Sequence, residues 1–574
     1  MWASATAGFG SHIHNCAKSS DGNTKVHDHQ SPPRRSANYQ PPNWDFDDIQ
    51  SLSNEYAGER YVNQSRVLKE QVKMMLDDQV MGSQNQLELI DNLQRLGLSC
   101  HFEDKIQSIF GGIYHRNHVN NMPNQRGLHE TALEFRLLRQ YGFDVSQEIF
   151  DIFKDEKGVF KSSVCDDAKG MLSLYEASYL NKNESNLELA REFTSKYLKK
   201  HLDDEKRMDQ QLVALVQHAL ELPLHWRVIP LEARWFIDEY EKRSDMNPFL
   251  LELAKLNFNI VQATYQNDLK YASRCWKSTC LAEKLKFFRD RLVECFFWSV
   301  GSIPDSQHGY CRRMIAMVGA FITLIDDVYD VYGTLDELEL FTDAIQSWDI
   351  EGIDRLPDYM KLCYLAVYNS INEMAYNALK EQGVNVIPYL RKAWADLCRA
   401  YLKEANWYFS GYVPTMEEYL DNASRSIGIY PVLVHAYICV HNPIKEADLE
   451  YLETRPNIAQ NTVLIVRFAD DLGTSREEIE RGDVPKSIQC YMKQTGASEE
   501  NARKYIKFLM SETCKQMNKD CLSSSPFSPT FIGIAMNIAR TAQCIYEHGD
   551  GHGHQNAETR HRILALLFDP IRLP

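Results

Sequence analysis

Asp326, Asp327 and Asp330 follow directly on an apolar run: Val318 to Asp330 reads Val-Gly-Ala-Phe-Ile-Thr-Leu-Ile-Asp-Asp-Val-Tyr-Asp. On a helix turning about 100° per residue, Asp326 and Asp330 lie about 40° apart and share a face, whereas Asp327 points about 100° away. Met314 to Ile325 is core material, so these carboxylates stand at the rim of a buried space, where unpaired charge is costly. A cation offsets that cost, and oxygen-only ligands suit Mg2+ or Mn2+, not zinc. A second acidic stretch, Arg467 to Glu478, reads Arg-Phe-Ala-Asp-Asp-Leu-Gly-Thr-Ser-Arg-Glu-Glu. Asp470, Thr474 and Glu478 fall in a line on one helical face, again behind apolar residues, Val463 to Val466. Two carboxylates and a hydroxyl in that line make a second hard-cation site. An ordinary acidic helix accounts for Glu477 and Glu478 with Arg481, but not for Thr474.

These stretches resemble the plant terpene synthase family, the class I terpenoid cyclases. The first matches its D-D-x-x-D motif; the second matches N/D-D-x-x-S/T-x-x-x-E, with Asp470, Thr474 and Glu478 in the ligand positions. Arg289-Asp-Arg291 matches R-x-R, and Arg34-Arg35 followed at the right distance by Trp44 matches the R-R-x8-W of the monoterpene branch. The resemblance runs from about Arg34 to the C-terminus, and several motifs in the right order are far more specific than any one. Asp45-Phe-Asp47-Asp48 also matches D-x-D-D, the acid motif of class II cyclases; just after Trp44, a helix cap is the better reading.

The resemblance implies an all-α protein of two helical domains, an N-terminal α-barrel and a C-terminal class I helical bundle. It implies ionisation of an allylic prenyl diphosphate, with three Mg2+ (or Mn2+) held by Asp326, Asp330, Asp470, Thr474 and Glu478, and Asp327 beside them. Arg289, Arg291, Arg467 and Lys486 match basic positions that meet the diphosphate, arginine gripping it bidentately and lysine as a point charge. Trp298 matches a pocket tryptophan whose face stabilises a carbocation. Tyr546 and Asp550 match the loop that closes the site, and His552 stands where many members have Phe or Tyr. Arg34, Arg35 and Trp44 match a strap folded over the catalytic mouth. Trp276 lies where many relatives carry paired tryptophans.

The elements that position these residues read as helices. Leu89, Leu93 and Leu96 follow helical spacing and stop at Gly97; Leu133, Leu137 and Tyr141 repeat the pattern and stop at Gly142. Asn247 before Pro248 disfavours helix and marks a break. The expected division is a disordered segment over 1–33, an N-terminal domain over 34–245 and a catalytic domain over 246–574. Residues 1–33 are rich in Ser, Gly, His and Asn and end in Pro32-Pro33; by resemblance they form a plastid transit segment, although Asp21 and Asp28 fit that imperfectly. The location implied is the plastid stroma, the alternative the cytosol. His548-Gly-Asp550-Gly-His552-Gly-His554 reads as a mobile Gly-rich lid; its histidines suggest zinc, but no matching partner set is evident.

The chain has 574 residues, enough for two or three domains, with 44% hydrophobic and 25% charged residues. A net charge of -16 argues against nucleic acid as a partner and sets a puzzle for an anionic substrate. The 14 cysteines lack a C-x-x-C pair and read as free thiols. No apolar run reaches the ~18 residues of a membrane span, and no secretory signal is evident. The expected partner is a prenyl diphosphate, geranyl diphosphate foremost, with the protein a monomer or homodimer. A sesquiterpene synthase acting on farnesyl diphosphate is the rival within the class, and a catalytically dead helical scaffold the rival outside it. Chain-elongating prenyltransferases carry two D-D-x-x-D motifs, and the second motif here differs.

Overall fold

The computed structural model describes residues 35–78, 82–119, 126–202, 208–553 and 556–573. Arg34, His554 and the segment 1–33 lie outside them. Among the described residues the regular structure is helical, and the sole β feature is an isolated antiparallel bridge between Lys154 and Phe160. Local chemistry sets many helix ends. Asp45 caps Phe46–Ser51, accepting from the Asp47 amide at 2.7 Å, so D-x-D-D here is a cap. Leu96 and Tyr141 end their helices beside Gly97 and Gly142, both at positive φ. Asn247 caps Pro248–Ser278, taking the amides of Phe249 and Leu250.

The buried residues fall into two large cores. One is built mainly from residues before Ala272, the other mainly from Trp276 to Ala542. Helix Pro248–Ser278 joins them: Leu250 to Ala272 belong to the first core and Trp276 to the second. In the second half, Gly309–Asp327 packs against Leu292–Ser302 and Ile429–Val440, and Asn457–Arg481 packs against Glu499–Cys521 and Pro529–Ile545. Side chains from these helices other than Glu499–Cys521, and from Ile387–Ser410, surround one cavity.

Met416–Val440 passes a length and hydropathy test for a membrane span, but 78% of that window is buried in the fold. Gly428, at φ +75°, also breaks it into two helices. All described cysteines are free.

The joint between the cores holds a buried charge cluster. Arg312, fully buried, donates to Asp268 at 2.8 and 3.1 Å and to the carbonyls of Ile303, Asp305 and Ser306; Arg313 reaches Asp268 at 2.5 Å. This pins Pro248–Ser278 to Gly309–Asp327. Asp268→Ala strands Arg312 in the interior, a loss of about 3–5 kcal/mol. A clearly lower denaturation midpoint in urea is expected; an unchanged midpoint would show the cluster to be dispensable.

Candidate active site

The cavity has a charged end and an apolar end. Asp326 and Asp330 enter from one side; Asp470, Thr474 and Glu478 enter from the facing helix. Asn457–Arg481 is continuous, so the line drawn from spacing survives intact. The first motif is less regular. The α-helix ends at Asp327, and Val328–Tyr332 forms a π-helical turn. Its wider, i to i+5 winding still leaves Asp326 and Asp330 on the cavity side. Asp327 is fully buried and turned away: it accepts the Arg289 backbone amide at 2.6 Å and pairs with the Arg289 guanidinium at 2.8 Å.

Glu404 adds another buried acid, held by Ser426 at 2.5 Å and Asn422 at 3.1 Å. It lies on a helix without any motif, and sequence reasoning missed it. Against these acids the charged end offers Arg289, Arg467 and Lys486. Arg289 reaches Asp326 at 2.6 Å, Arg467 reaches Asp470 at 2.9 Å, and Lys486 stands 3.8 Å from Glu478. Those cations do not suffice. Burial, then the neighbouring Asp326, pushes Asp330 well above the usual carboxylate range. Burial pushes Asp470 up to about 7, with Glu478 adding repulsion and Arg467 opposing it. Glu478 is raised as well, chiefly by burial.

Several buried polar atoms here lack a hydrogen-bond partner. Thr474 Oγ1 and Glu478 Oε2 are orphaned acceptors; Arg289 Nε and Arg467 Nε are orphaned donors. Oxygen-only donors with a surplus of buried negative charge fit hard divalent cations. The orphaned guanidinium nitrogens fit an anion.

Arg289 and Arg291 part company. Both leave a non-helical segment just before Leu292–Ser302, as pointing the same way would require, yet only Arg289 lines the cavity. Arg291 is buried, donating to Gly553 O at 3.2 and 3.3 Å, Gln40 O at 3.0 Å and Asp290 O at 3.0 Å. It therefore ties the N-terminal strap and the C-terminal loop to one guanidinium. Trp276 steadies the same segment, its Nε1 donating to Asp290 at 2.9 Å. The strap itself is anchored along its length. Arg35 pairs with Asp483 at 3.5 Å and lies 4.1 Å from the Tyr408 ring centre. Tyr39 lies under Arg289, and Trp44 donates to Glu294 at 2.9 Å and stacks on Phe568.

The loop after Pro529–Ile545 brings Tyr546, Asp550 and His552 to the cavity. Two of its glycines permit close packing. Gly551 and Gly553 are buried, and a Cβ on Gly553 would lie 2.3 Å from Asp550 Oδ2 and 3.2 Å from Arg289 Nη1. Asp550 accepts the amides of His552 at 3.0 Å and Gly553 at 2.7 Å. His552 Nε2 lies 3.1 Å from Thr323 Oγ1, and burial together with Arg289 pushes its pKa down to about 4. It is thus a neutral ring at pH 7. At the apolar end stand Trp298, Ile322, Ile427, Val432 and Ile538. Trp298 tilts against Tyr546 with ring centres 6.1 Å apart. Gly428 forms part of this wall; a Cβ there would approach Ile322 to 2.7 Å, so the cavity takes its shape from a missing side chain. The one sequence signal for it is a lone glycine inside an apolar helical run.

Residues 277–516 match the terpene synthase family metal binding domain, and residues 43–220 match the terpene synthase N-terminal domain. A chloroplastic linalool synthase of Coffea arabica is 63% identical over 552 residues, covering 96% of this chain and 92% of that protein. A limonene synthase solved with 2-fluorolinalyl diphosphate superposes with a TM-score of 0.92 at 47% identity, covering 94% of this chain and all of that one. Isoprene synthase from grey poplar, solved with three Mg2+ ions and dimethylallyl-S-thiolodiphosphate, gives 0.86 at 44% identity, covering 92% and 99%.

If Gly553 is glycine for lack of space, Gly553→Ala must push Asp550 or Arg289 aside. Hydrogen exchange should then quicken in residues 546–553 and leave Asn457–Arg481 unchanged. Equal protection of the loop in variant and parent would show that it accommodates a methyl group.

Proposed function

The chain belongs to the terpene synthase family, and from that premise we propose that it is a monoterpene synthase, a lyase that converts geranyl diphosphate to a monoterpene and diphosphate. The observation that carries this reading is the coexistence of orphaned acceptors and orphaned donors around one buried cavity. A divalent metal cofactor with a diphosphate satisfies both sets together. Mg2+ is the proposed ion, on the oxygen-only donors and the three Mg2+ of the isoprene synthase complex; Mn2+ shares that donor preference. The proposed site of action is the plastid, as for the chloroplastic relatives.

Asp326, Asp330, Asp470, Thr474 and Glu478 are the proposed metal ligands. When bound, the ions neutralise charge as it develops on the leaving diphosphate. Arg289, Arg467 and Lys486 hold that diphosphate at the charged end, fixed before the reaction so that little reorganisation is needed. Asp327 orients Arg289 from behind, through its amide and guanidinium. Arg291 acts as a clamp on the covering segments and does not touch the diphosphate. The hydrocarbon tail lies among Ile322, Val432 and Ile538, which exclude water, and the faces of Trp298 and Tyr546 meet positive charge on carbon. His552, neutral, adds no charge to repel that cation. We propose 34–245 as the supporting domain and 246–574 as the catalytic one.

Incubation with geranyl and then farnesyl diphosphate, followed by gas chromatography, tests the assignment. Turnover of geranyl diphosphate is expected; turnover of farnesyl diphosphate alone replaces it with the sesquiterpene reading, and no Mg2+-dependent diphosphate release from either points to a dead scaffold. Asp326→Ala and Glu478→Ala should each lower kcat by about 100-fold or more, typical of losing one preorganised electrostatic group. Near-normal turnover of both at saturating Mg2+ would sink the metal assignment.

The strap is tested by truncation. A chain beginning at Arg34 should keep activity. One beginning at Ser36 loses the Arg35 contacts to Asp483 and Tyr408 and should turn over geranyl diphosphate poorly, yet spare linalyl diphosphate, which is already isomerised. Equal activity of both chains on both substrates would remove the strap from the mechanism.

A further inference from the structure

The histidine-bearing loop has partners that lie far away in sequence. His548 Nε2 stands 3.7 Å from Glu221 Oε1 and 3.7 Å from Glu547 Oε2, and the three ligating atoms lie within 4.8 Å of one another. These separations are too long for hydrogen bonds. They are close to the spacing an ion imposes: donors about 2.1 Å from a tetrahedral metal sit about 3.4 Å apart. Neither carboxylate is loose. Arg227 holds Glu221 through Oε2 at 3.2 Å, which leaves Oε1 towards the imidazole. Arg562 holds Glu547 at 3.2 Å through Oε2, the oxygen that also faces the imidazole, so an ion there shares that oxygen with Arg562 or takes Oε1. Carboxylates that bind metals are ordinarily fixed in this way by outer partners. Both arginines have other acceptors, Arg562 in Glu558 and the Cys544 carbonyl, Arg227 in the His218 carbonyl and Glu232, so they can tolerate an ion beside them. Glu221 is the last residue of helix Gln210–Glu221, whose C-terminal dipole end favours a cation. The side chains of His548 and Glu221 are 45% and 43% exposed, leaving an entry path and a place for water as a fourth ligand.

We propose that Glu221, Glu547 and His548 form a second metal site, which takes a first-row divalent transition ion such as Zn2+ and ties the loop over the active site to the N-terminal half. One imidazole and two carboxylates suit Zn2+ better than Mg2+, whereas the oxygen-only set in the cavity has the reverse preference. The chain thus sorts two metals by donor chemistry. Glu547 and His548 lie between Tyr546 and Asp550, so an ion here restrains the loop that brings both to the cavity.

The test is isothermal titration of the full chain with Zn2+, without substrate or Mg2+, so that its outcome is independent of the proposed monoterpene activity. The parent is expected to bind one equivalent more than His548→Ala and than Glu221→Gln, two surface variants whose folding is checked by circular dichroism. Asp470→Asn should keep that equivalent. Zn2+ should also raise the melting temperature of the parent and of Asp470→Asn by more than that of the other two. The same stoichiometry in parent and His548→Ala, or loss of the equivalent in Asp470→Asn alone, would overturn the proposal.

Discussion

Burial governs what the two acidic helices can do to each other. Each reaches the cavity behind apolar residues, Met314 to Ile325 on one side and Val463 to Val466 on the other, so packing the core also drives the carboxylates together. Like charges 4 Å apart that cost about 1 kcal/mol in water cost about 4 at the effective dielectric of a protein near its surface. Asp330, Asp470 and Glu478 have raised pKa values, chiefly because burial penalises the charged form, with repulsion from near neighbours (Asp326 on Asp330, Glu478 on Asp470, Asp471 on Glu478) added to it. Arg467 and Lys486 offset part of it from within. The rest is left for a cation from outside, so the hydrophobic core prepares the metal site that we propose.

The same chemistry accounts for how the site is covered. Arg291 has donors for both the strap carbonyl of Gln40 and the loop carbonyl of Gly553. Withdrawing one segment leaves a buried guanidinium short of an acceptor, worth about 1–3 kcal/mol. Strap and loop therefore hold each other down. Because the acceptors are backbone carbonyls, the hydrogen bonds themselves ask for shape and length; at Gly553 the lack of room adds a requirement for glycine.

Much of the charged end was legible from spacing. Asp470, Thr474 and Glu478 stand where a regular helix puts them. Asp326 and Asp330 share the cavity despite a π turn that no periodicity announced. The helical class, the stops at Gly97 and Gly142 and the cap at Asp45 followed from local rules, which act over a few residues. What spacing did not show rests on long-range contacts. Arg291 looks like a partner of Arg289, and only tertiary structure shows it satisfied by carbonyls more than 250 residues away in either direction. The Gly-rich loop reads as a lid from composition alone; that Gly553 lacks room for a side chain beside Asp550 and Arg289, and Gly551 beside Ile545 and Thr559, is visible only in the folded chain. Glu404 carries no motif and Gly428 only the signal of a lone glycine in an apolar run; their places in the cavity wall follow from tertiary contacts.

The negative chain and the proposed anionic substrate are reconciled at Arg289. Its Nη2 is shared between Asp326 at 2.6 Å and Asp327 at 2.8 Å, while its Nε is buried without an acceptor. Of the two carboxylates, only Asp326 faces the cavity. An ion that takes Asp326 as ligand removes that claim on the guanidinium, and Asp327, bound also to the Arg289 amide, keeps the side chain in place. On the proposed metal assignment, recruitment of Asp326 would thus free donor capacity on Arg289 for an anion. Under that proposal an acidic site would become receptive to phosphate by exchange of partners around the bound cation, with no change in the charge of the protein at large.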